Sequence, residues 1–286
     1  MRVAVFSDVQ ANLPAMEVVA EAILRWAPDL VVLSGDLVNR GPRNRECLDL
    51  YLDLSRRLHC VALRGNHEDY LLHCASHPPL DPHDAALRRF ADWSASQLGA
   101  WVRLFERWAD HLDFPAEGGR QWVHVTHGTL LGNRNGISAS IPDTGLERKL
   151  PPQTELFVTA HTHKVHRRTF QGTHILNIGS VGSPFDGDTR SSHARLEFRN
   201  GAWHGKIVRL GYDRQRMERD CRDSGFLDQG GPLARVIFEE WRRASLLMPH
   251  WNRRYRQAVL GGADQHGTGG GRVYGRPVRA LPVRAP

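Results

Sequence analysis

Three short apolar runs in the first 63 residues, each ending at a polar turn, restrict this chain more than any other feature of its sequence. Residues 2–6 crowd apolar and β-branched side chains together and stop at Ser7, the mark of a buried strand. Leu30-Val31-Val32-Leu33 repeats the pattern, and residues 59–63 repeat it again before a loop at 64–66. Between the first two runs, Pro14 stands where proline suits the first turn of a helix. Met16, Val19, Ala20, Ile23 and Leu24 then recur at helical spacing. Cys47, Leu48, Tyr51 and Leu52 mark a second helix before the third run. Strand, helix, strand, helix, strand predicts a largely parallel sheet with helices on its faces.

The rhythm breaks over residues 83–112. Leu87, Phe90, Ala91, Ser94 and Leu98 predict one helix, and Trp101, Leu104, Phe105, Trp108 and Leu112 a second. The pair reads as a helical hairpin inserted between core strands, a cap over whatever site lies beneath. Residues 121–126, 155–159, 164–170, 174–178, 192–199 and 202–210 read as strands, the last two joined by the tight turn Arg199-Asn200-Gly201. From 213 onward the pattern is helical, with Leu233, Val236, Ile237, Trp241 and Ala244 as the stripe that must pack on something. Residues 261–286 are rich in Gly, Pro and Arg without periodicity, which predicts a disordered basic tail. The expected organisation is a domain over 1–212, a helical extension over 213–260 and the tail.

Composition narrows the function classes. Hydrophobic residues make up 41% of 286, enough for a packed core. No apolar run approaches the ~20 residues of a membrane helix. The first strand runs into a motif by Ser7-Asp8, leaving no room for a signal peptide. The four cysteines (Cys47, Cys60, Cys74, Cys221) have no CxxC spacing, so reduced thiols in a cytoplasmic protein are expected. The net charge of +7 comes almost wholly from Arg. No aromatic-interleaved basic stripe accompanies it, so an Arg-rich surface is the simpler reading than a nucleic-acid partner.

The chemistry lies at the strand ends. The first strand exits into Asp8-Val9-Gln10, the second into Gly35-Asp36, the third into Gly65-Asn66-His67-Glu68. Later strands exit into His127-Gly128 and His161-Thr162-His163. Alone, an Asp after a strand is more often a cap or turn residue. His161 and His163, two apart, would point to opposite sides of an extended strand, and meet only if the backbone turns. Together the five exits place oxygen and imidazole donors at one edge of the sheet, where sites form in open α/β folds. Carboxylate, amide and imidazole suit Mn, Fe, Zn or Ni, with Mn the first choice. A shared carboxylate can bridge two such ions roughly 3.5–4 Å apart, lowering the pKa of a water and clamping an in-line displacement.

This ordered set resembles the calcineurin-like metallophosphoesterases over roughly residues 1–210. Leu63-Arg64-Gly65-Asn66-His67-Glu68 and Gly35-Asp36-Leu37-Val38-Asn39-Arg40-Gly41-Pro42 look like motifs of PPP-type phosphatases and diadenosine tetraphosphatases. Asn177-Ile178-Gly179-Ser180-Val181-Gly182-Ser183-Pro184 is similar to a segment of small prokaryotic members. The resemblance implies an α/β fold, two mixed β-sheets in a sandwich flanked by helices. It implies one divalent ion held by Asp8, Gln10, Asp36 and His163 and another by Asp36, Asn66, His127 and His161, with Asp36 bridging. His67 would protonate or stabilise the leaving oxygen, and Arg40 and Arg64 would hold phosphate. The substrate would be a phosphorylated small molecule, a dinucleotide polyphosphate or a phosphoprotein.

Two positions depart from the pattern. Gln10 replaces the usual His, a neutral oxygen donor that predicts a weaker first metal site. Asn39 replaces the Asp that pairs with the motif His, and an amide stabilises imidazolium less well, making His67 the poorer acid. These departures keep open a weakened phosphate-binding or regulatory module on the same fold. A third reading, a nuclease using the basic tail, would require steep salt dependence.

Overall fold

The computed structural model describes residues 1–115 and 122–264. β1 (Arg2–Phe6) is buried from Val3 onward, and its alternate residues divide two cores. Val3 and Val5 pack inside a sandwich, while Ala4 and Phe6 pack under helices. A strand buried on both faces carries no polar alternation, which explains its unbroken apolar run. β2 (Leu30–Ser34) lies parallel to β1, and β3 (Cys60–Leu63) parallel to β2. On the other side β9 (Ser191–Arg199) runs antiparallel to β1, and β10 (Ala202–Leu210) forms the edge.

The second sheet has the order β4 (His111–Pro115), β5 (Trp122–Thr126), β6 (Thr154–Thr159), β8 (Thr173–Ile178) and β7 (Val165–Phe170). β5, β6 and β8 are parallel, and the two edge strands are antiparallel to their neighbours. The fold is therefore α/β with two mixed sheets of five strands each. Val123, Val125, Leu156, Val158, Leu176 and Ile178 meet Val3, Val5, Leu30 and Val32 between them.

Helices cover the outer face of the first sheet. α1 (Leu13–Trp26) starts under the Asn12 side chain, which accepts from the Ala15 N–H, with Pro14 in its first turn. α2 (Asn44–Arg57), α3 (Asn66–Ser76) and α4 (Pro82–Leu98) share one apolar cluster with α5 (Arg214–Asp223), α6 (Phe226–Gln229) and α7 (Gly231–Arg243). α8 (Met248–Arg254) and α9 (Arg256–Asp264) follow. The outer face of the second sheet buries Phe157 and Ile175 under Ile137, Leu146 and Leu150. Among the described residues no helix is long and apolar enough to cross a membrane, and all four cysteines are free.

Three segments differ from the sequence expectation. The loop expected at 64–66 is present but ends at Gly65, because Asn66 of the ligand motif already opens a further helix, α3. The second arm of the expected hairpin is a 3-10 helix, Gly99–Arg107, and Leu112 belongs to β4. Apolar residues three apart fit a 3-10 helix as well as an α-helix, and Leu112 with Phe114 follows a strand's alternation instead. The arm is also no cap: α4 packs into the layer over the first sheet. Finally, α9 carries the chain to Asp264, past the expected tail start at 261. Residues 265–286 of that tail lie outside the described residues.

Candidate metal centre

At the exits of β1, β2 and β6 the backbone turns left-handed, and this helps the strand ends converge. Asp8, Gln10, Asp36, Asn39, Arg40, His161 and His163 all have φ between +49° and +70°. Asp, Asn and His tolerate this region better than other side chains, and its concentration at one place is typical of a functional site. The turn brings His161 and His163 to the same centre. His161 Nδ1 lies 2.7 Å from Asn66 Oδ1, and His163 Nε2 lies 3.1 Å from Asp8 Oδ1.

Glycine makes the close approach feasible. A Cβ on Gly65 would stand 2.1 Å from Asp36 Oδ1, and one on Gly35 would stand 2.6 Å from the Gly65 backbone. Gly35-Asp36 and Gly65-Asn66 are thus two halves of one contact. Glu68 locks them together: its carboxylate accepts the N–H groups of Asp36 (2.8 Å), Leu37 (2.8 Å) and Gly65 (2.9 Å). Burial, then the charge of Asp36, pushes Glu68 up to about 7, against the hydrogen bonds from Asp36 and Gly65.

Hydrogen bonds to backbone carbonyls fix two imidazoles. His127 Nδ1 donates to Ser34 O (2.8 Å) and His163 Nδ1 to Ser183 O (2.5 Å). Each Nε2 is then unprotonated, the state in which imidazole ligates metal. His127 Nε2 faces two oxygens, Asn66 Oδ1 at 3.1 Å and Asp36 Oδ2 at 3.4 Å. Asp8 Oδ1 is buried without a hydrogen bond. Lone pairs turned on one another in a buried pocket suit a cation between them. Ligand atoms of Asp8, Asp36 and His127 lie within 4.8 Å of one another. Burial and the neighbouring Asp8 push the Asp36 carboxyl well up, while Asp8 itself is held at about 2, the imidazoles led by His163 outweighing its burial. This donor set fits divalent ions.

The segment 177–184 is the brace behind the centre. Ser180 Oγ donates to Asp8 O (2.8 Å), Val181 N to Ser7 O (2.9 Å), and Asn177 Nδ2 to Ala160 O (2.8 Å). The Phe185 ring stacks on His163 with centroids 4.3 Å apart.

The remaining expected residues divide. His67 donates its backbone N–H to Asp36 Oδ1 (2.9 Å), and its Nδ1 lies 3.1 Å from Asn39 Nδ2. Asn39 Oδ1 is engaged by the Arg40 N–H (2.9 Å) and the Ser94 hydroxyl (3.2 Å), so its amide must present N–H to His67. His67 is thereby a neutral imidazole carrying its proton on Nε2, and burial followed by the Arg40 charge holds its pKa well below the usual value. Gln10 is in place, but its Oε1 accepts from Arg40 Nε (3.1 Å) and its Nε2 faces His163 Nε2 (3.2 Å). Arg64 is not brought in: its guanidinium pairs with Asp69 and Asp110, away from the cavity.

A cavity of about 1020 Å³ opens over Gln10, Asp36, Asn66, His67, His161 and His163. Its walls are the 136–141 loop, Lys149 and, unexpectedly, residues 246–252 beyond the end of α7. Sequence reasoning missed Glu68 as a clamp, since the Asn66-His67-Glu68 motif shows ligands and not the backbone N–H groups they gather, and missed Glu240 on α7, which pairs with Arg40. No local signal marks Glu240, 200 positions from its partner.

A family model described as calcineurin-like phosphoesterase matches residues 1–165. The chain is similar in fold to a metallophosphoesterase from Sphaerobacter thermophilus, with 24% identity, a TM-score of 0.62, and coverage of 85% of this chain and 100% of that one. It is also similar to a hypothetical protein from Pyrococcus horikoshii OT3, with 17% identity, a TM-score of 0.69, and coverage of 82% and 97%. No curated protein matches.

Proposed function

The chain belongs to the calcineurin-like phosphoesterase family, and from that footing we propose that it hydrolyses a phosphate ester with water at a two-metal site. The observation that carries this reading is His127, whose proton is tied to Ser34 O while its bare Nε2 confronts the oxygens of Asn66 and Asp36. Asp8, Asp36 and His163 would hold one ion, and Asp36, Asn66, His127 and His161 the other. Divalent ions bound there would supply Lewis acidity and a water of lowered pKa.

The chain's own groups do the rest. His67 offers an Nε2–H toward the cavity side of Asp36, 3.9 Å from Oδ2, suited to donate to a phosphoryl or leaving oxygen. Arg40 offers guanidinium N–H groups to phosphate. Lys149 and Lys164 add positive charge to the walls, while Ile137, Ile141, Phe185 and Met248 add apolar surface. A phosphorylated small molecule fits this mixture best, since pockets for such ligands run to about 1,000 Å³ with mostly apolar walls.

The test is metal-stripped protein re-supplied with single divalent ions, assayed on p-nitrophenyl phosphate, its bis-ester and diadenosine tetraphosphate. Metal-restored hydrolysis of at least one is expected, with Mn²⁺ the leading candidate. Gln10 favours a second reading, a weakened phosphate-binding module, because its amide oxygen is committed to Arg40. Phosphate binding by the metal-loaded protein without turnover on any of the three would select it.

A further inference from the structure

The C-terminal helices reach the metal cavity through one buried carboxylate. Glu240, on α7, is fully buried. Its Oε1 accepts the N–H groups of Leu247 (2.7 Å) and Met248 (2.6 Å), which fixes the turn into α8. Its Oε2 accepts from Arg40 Nη2. Arg40 Nε in turn donates to Gln10 Oε1 (3.1 Å), and Gln10 Nε2 lies 3.2 Å from His163 Nε2. A continuous polar chain thus links α7 to the strand exits. Arg40 itself sits at φ +58°, on a loop braced by Ser94 of α4 through Asn39.

A buried ion pair contributes little net stability, because desolvation offsets the attraction; its better-attested effect is to fix geometry. Arg40 has five N–H donors. Nε and one hydrogen of Nη2, neighbouring donors of the guanidinium, are committed to Gln10 and Glu240. That leaves three donors on a planar fork that lines the cavity. A guanidinium held at two points presents its free edge in one orientation, the requirement for bidentate phosphate recognition.

We propose that Glu240 is a positioning residue for phosphate binding: it clamps Arg40 and, by capping the 246–248 turn, makes the C-terminal helices a wall of the substrate site. The ligand class is a phosphate ester. This rests on the reading of Arg40 as a phosphate ligand given above. The same carboxylate sets the place of Leu246, Met248, Pro249 and Asn252 along the wall, so it joins phosphate anchoring to the shape of the pocket.

The experiment compares wild type, Glu240→Gln, Arg40→Ala and the double variant on p-nitrophenyl phosphate with Mn²⁺. Glu240→Gln keeps a carbonyl for the two backbone N–H groups and removes the charge facing Arg40. KM should rise roughly 10-fold with kcat changed less than about 3-fold, as for loss of a charge-assisted contact made in ground and transition states alike. The double variant should be no worse than Arg40→Ala, since the two residues act as a unit. Additive losses would reduce Glu240 to a structural role, and a fall in KM would make it a competitor of phosphate; either overturns the proposal. Calorimetric titration of the same Mn²⁺-loaded proteins with inorganic phosphate separates this from the proposed activity. Roughly 10-fold weaker binding in Glu240→Gln is expected even without turnover, and equal affinity overturns the clamp. Glu240→Asp, which keeps the charge on a shorter arm, serves the same comparison if the glutamine variant unfolds.

Discussion

The Asp36 carboxylate is shared between two strand exits: its Oδ1 accepts from His67, its Oδ2 faces His127, and its backbone is held by Glu68 and Gln10. Asp36→Asn should therefore lose metal from both positions, while Asp8→Asn should lose it mainly from one. Metal counted per chain by mass spectrometry of the purified variants checks this; one ion retained in each would contradict bridging. Away from the centre, His193 on β9 is fully buried with no hydrogen bond on either ring nitrogen. Burial, then the nearby Arg195 charge, lowers its pKa to about 4. The unfolded chain takes up that proton near pH 6.5 and the folded chain does not, so stability falls as pH drops from about 6.5 toward 4, by up to about 3 kcal/mol. Urea unfolding at pH 7.5 and 5 should show His193→Gln with a flatter pH dependence than wild type. The strand-exit residues were legible because ligand chemistry restricts their types. The orientation of Gln10 was not, because it depends on Arg40 and Glu240, which no spacing connects.

At the level of elements, the junction between β2 and β3 has no room for a side chain. The Cβ of Gly65→Ala would meet Asp36 Oδ1 at 2.1 Å and Asp36 N at 2.6 Å, backbone included. Overpacking of this kind costs about 1–3 kcal/mol, and here it also displaces a ligand. The variant should melt lower and bind less metal; normal metal content would show that the two loops move apart freely. The parallel strands were readable because burial on both faces leaves an uninterrupted apolar run, and β9 and β10 because their pattern meets at a tight turn. α3 was hidden because its first turn is made of ligands rather than of core residues, its buried Leu71 and Cys74 coming later. β4 was hidden because Leu112 continues a spacing that the preceding 3-10 helix had begun.

Across the whole molecule, the expected division at 212 does not coincide with a break in the core. Met217, Cys221, Phe226, Ile237 and Trp241 share one apolar cluster with Phe6, Leu33, Leu48 and Trp93, and the Phe226 ring lies 5.2 Å from that of Trp93. A chain ending at 212 would expose that surface, at about 1.5–3 kcal/mol for each large side chain uncovered. It should be insoluble or molten, whereas one ending at 264 should fold; near-UV circular dichroism distinguishes them. The sequence resemblance could not reveal this dependence, since long-range packing leaves only a stripe that must find a partner. The most direct test of the central claim is a titration of metal-stripped protein with Mn²⁺, reading bound ions and p-nitrophenol release together. Two ions per chain, with hydrolysis appearing as they bind, is the predicted result. Hydrolysis equal to the chelated control at full occupancy, or no ion bound at all, would contradict it.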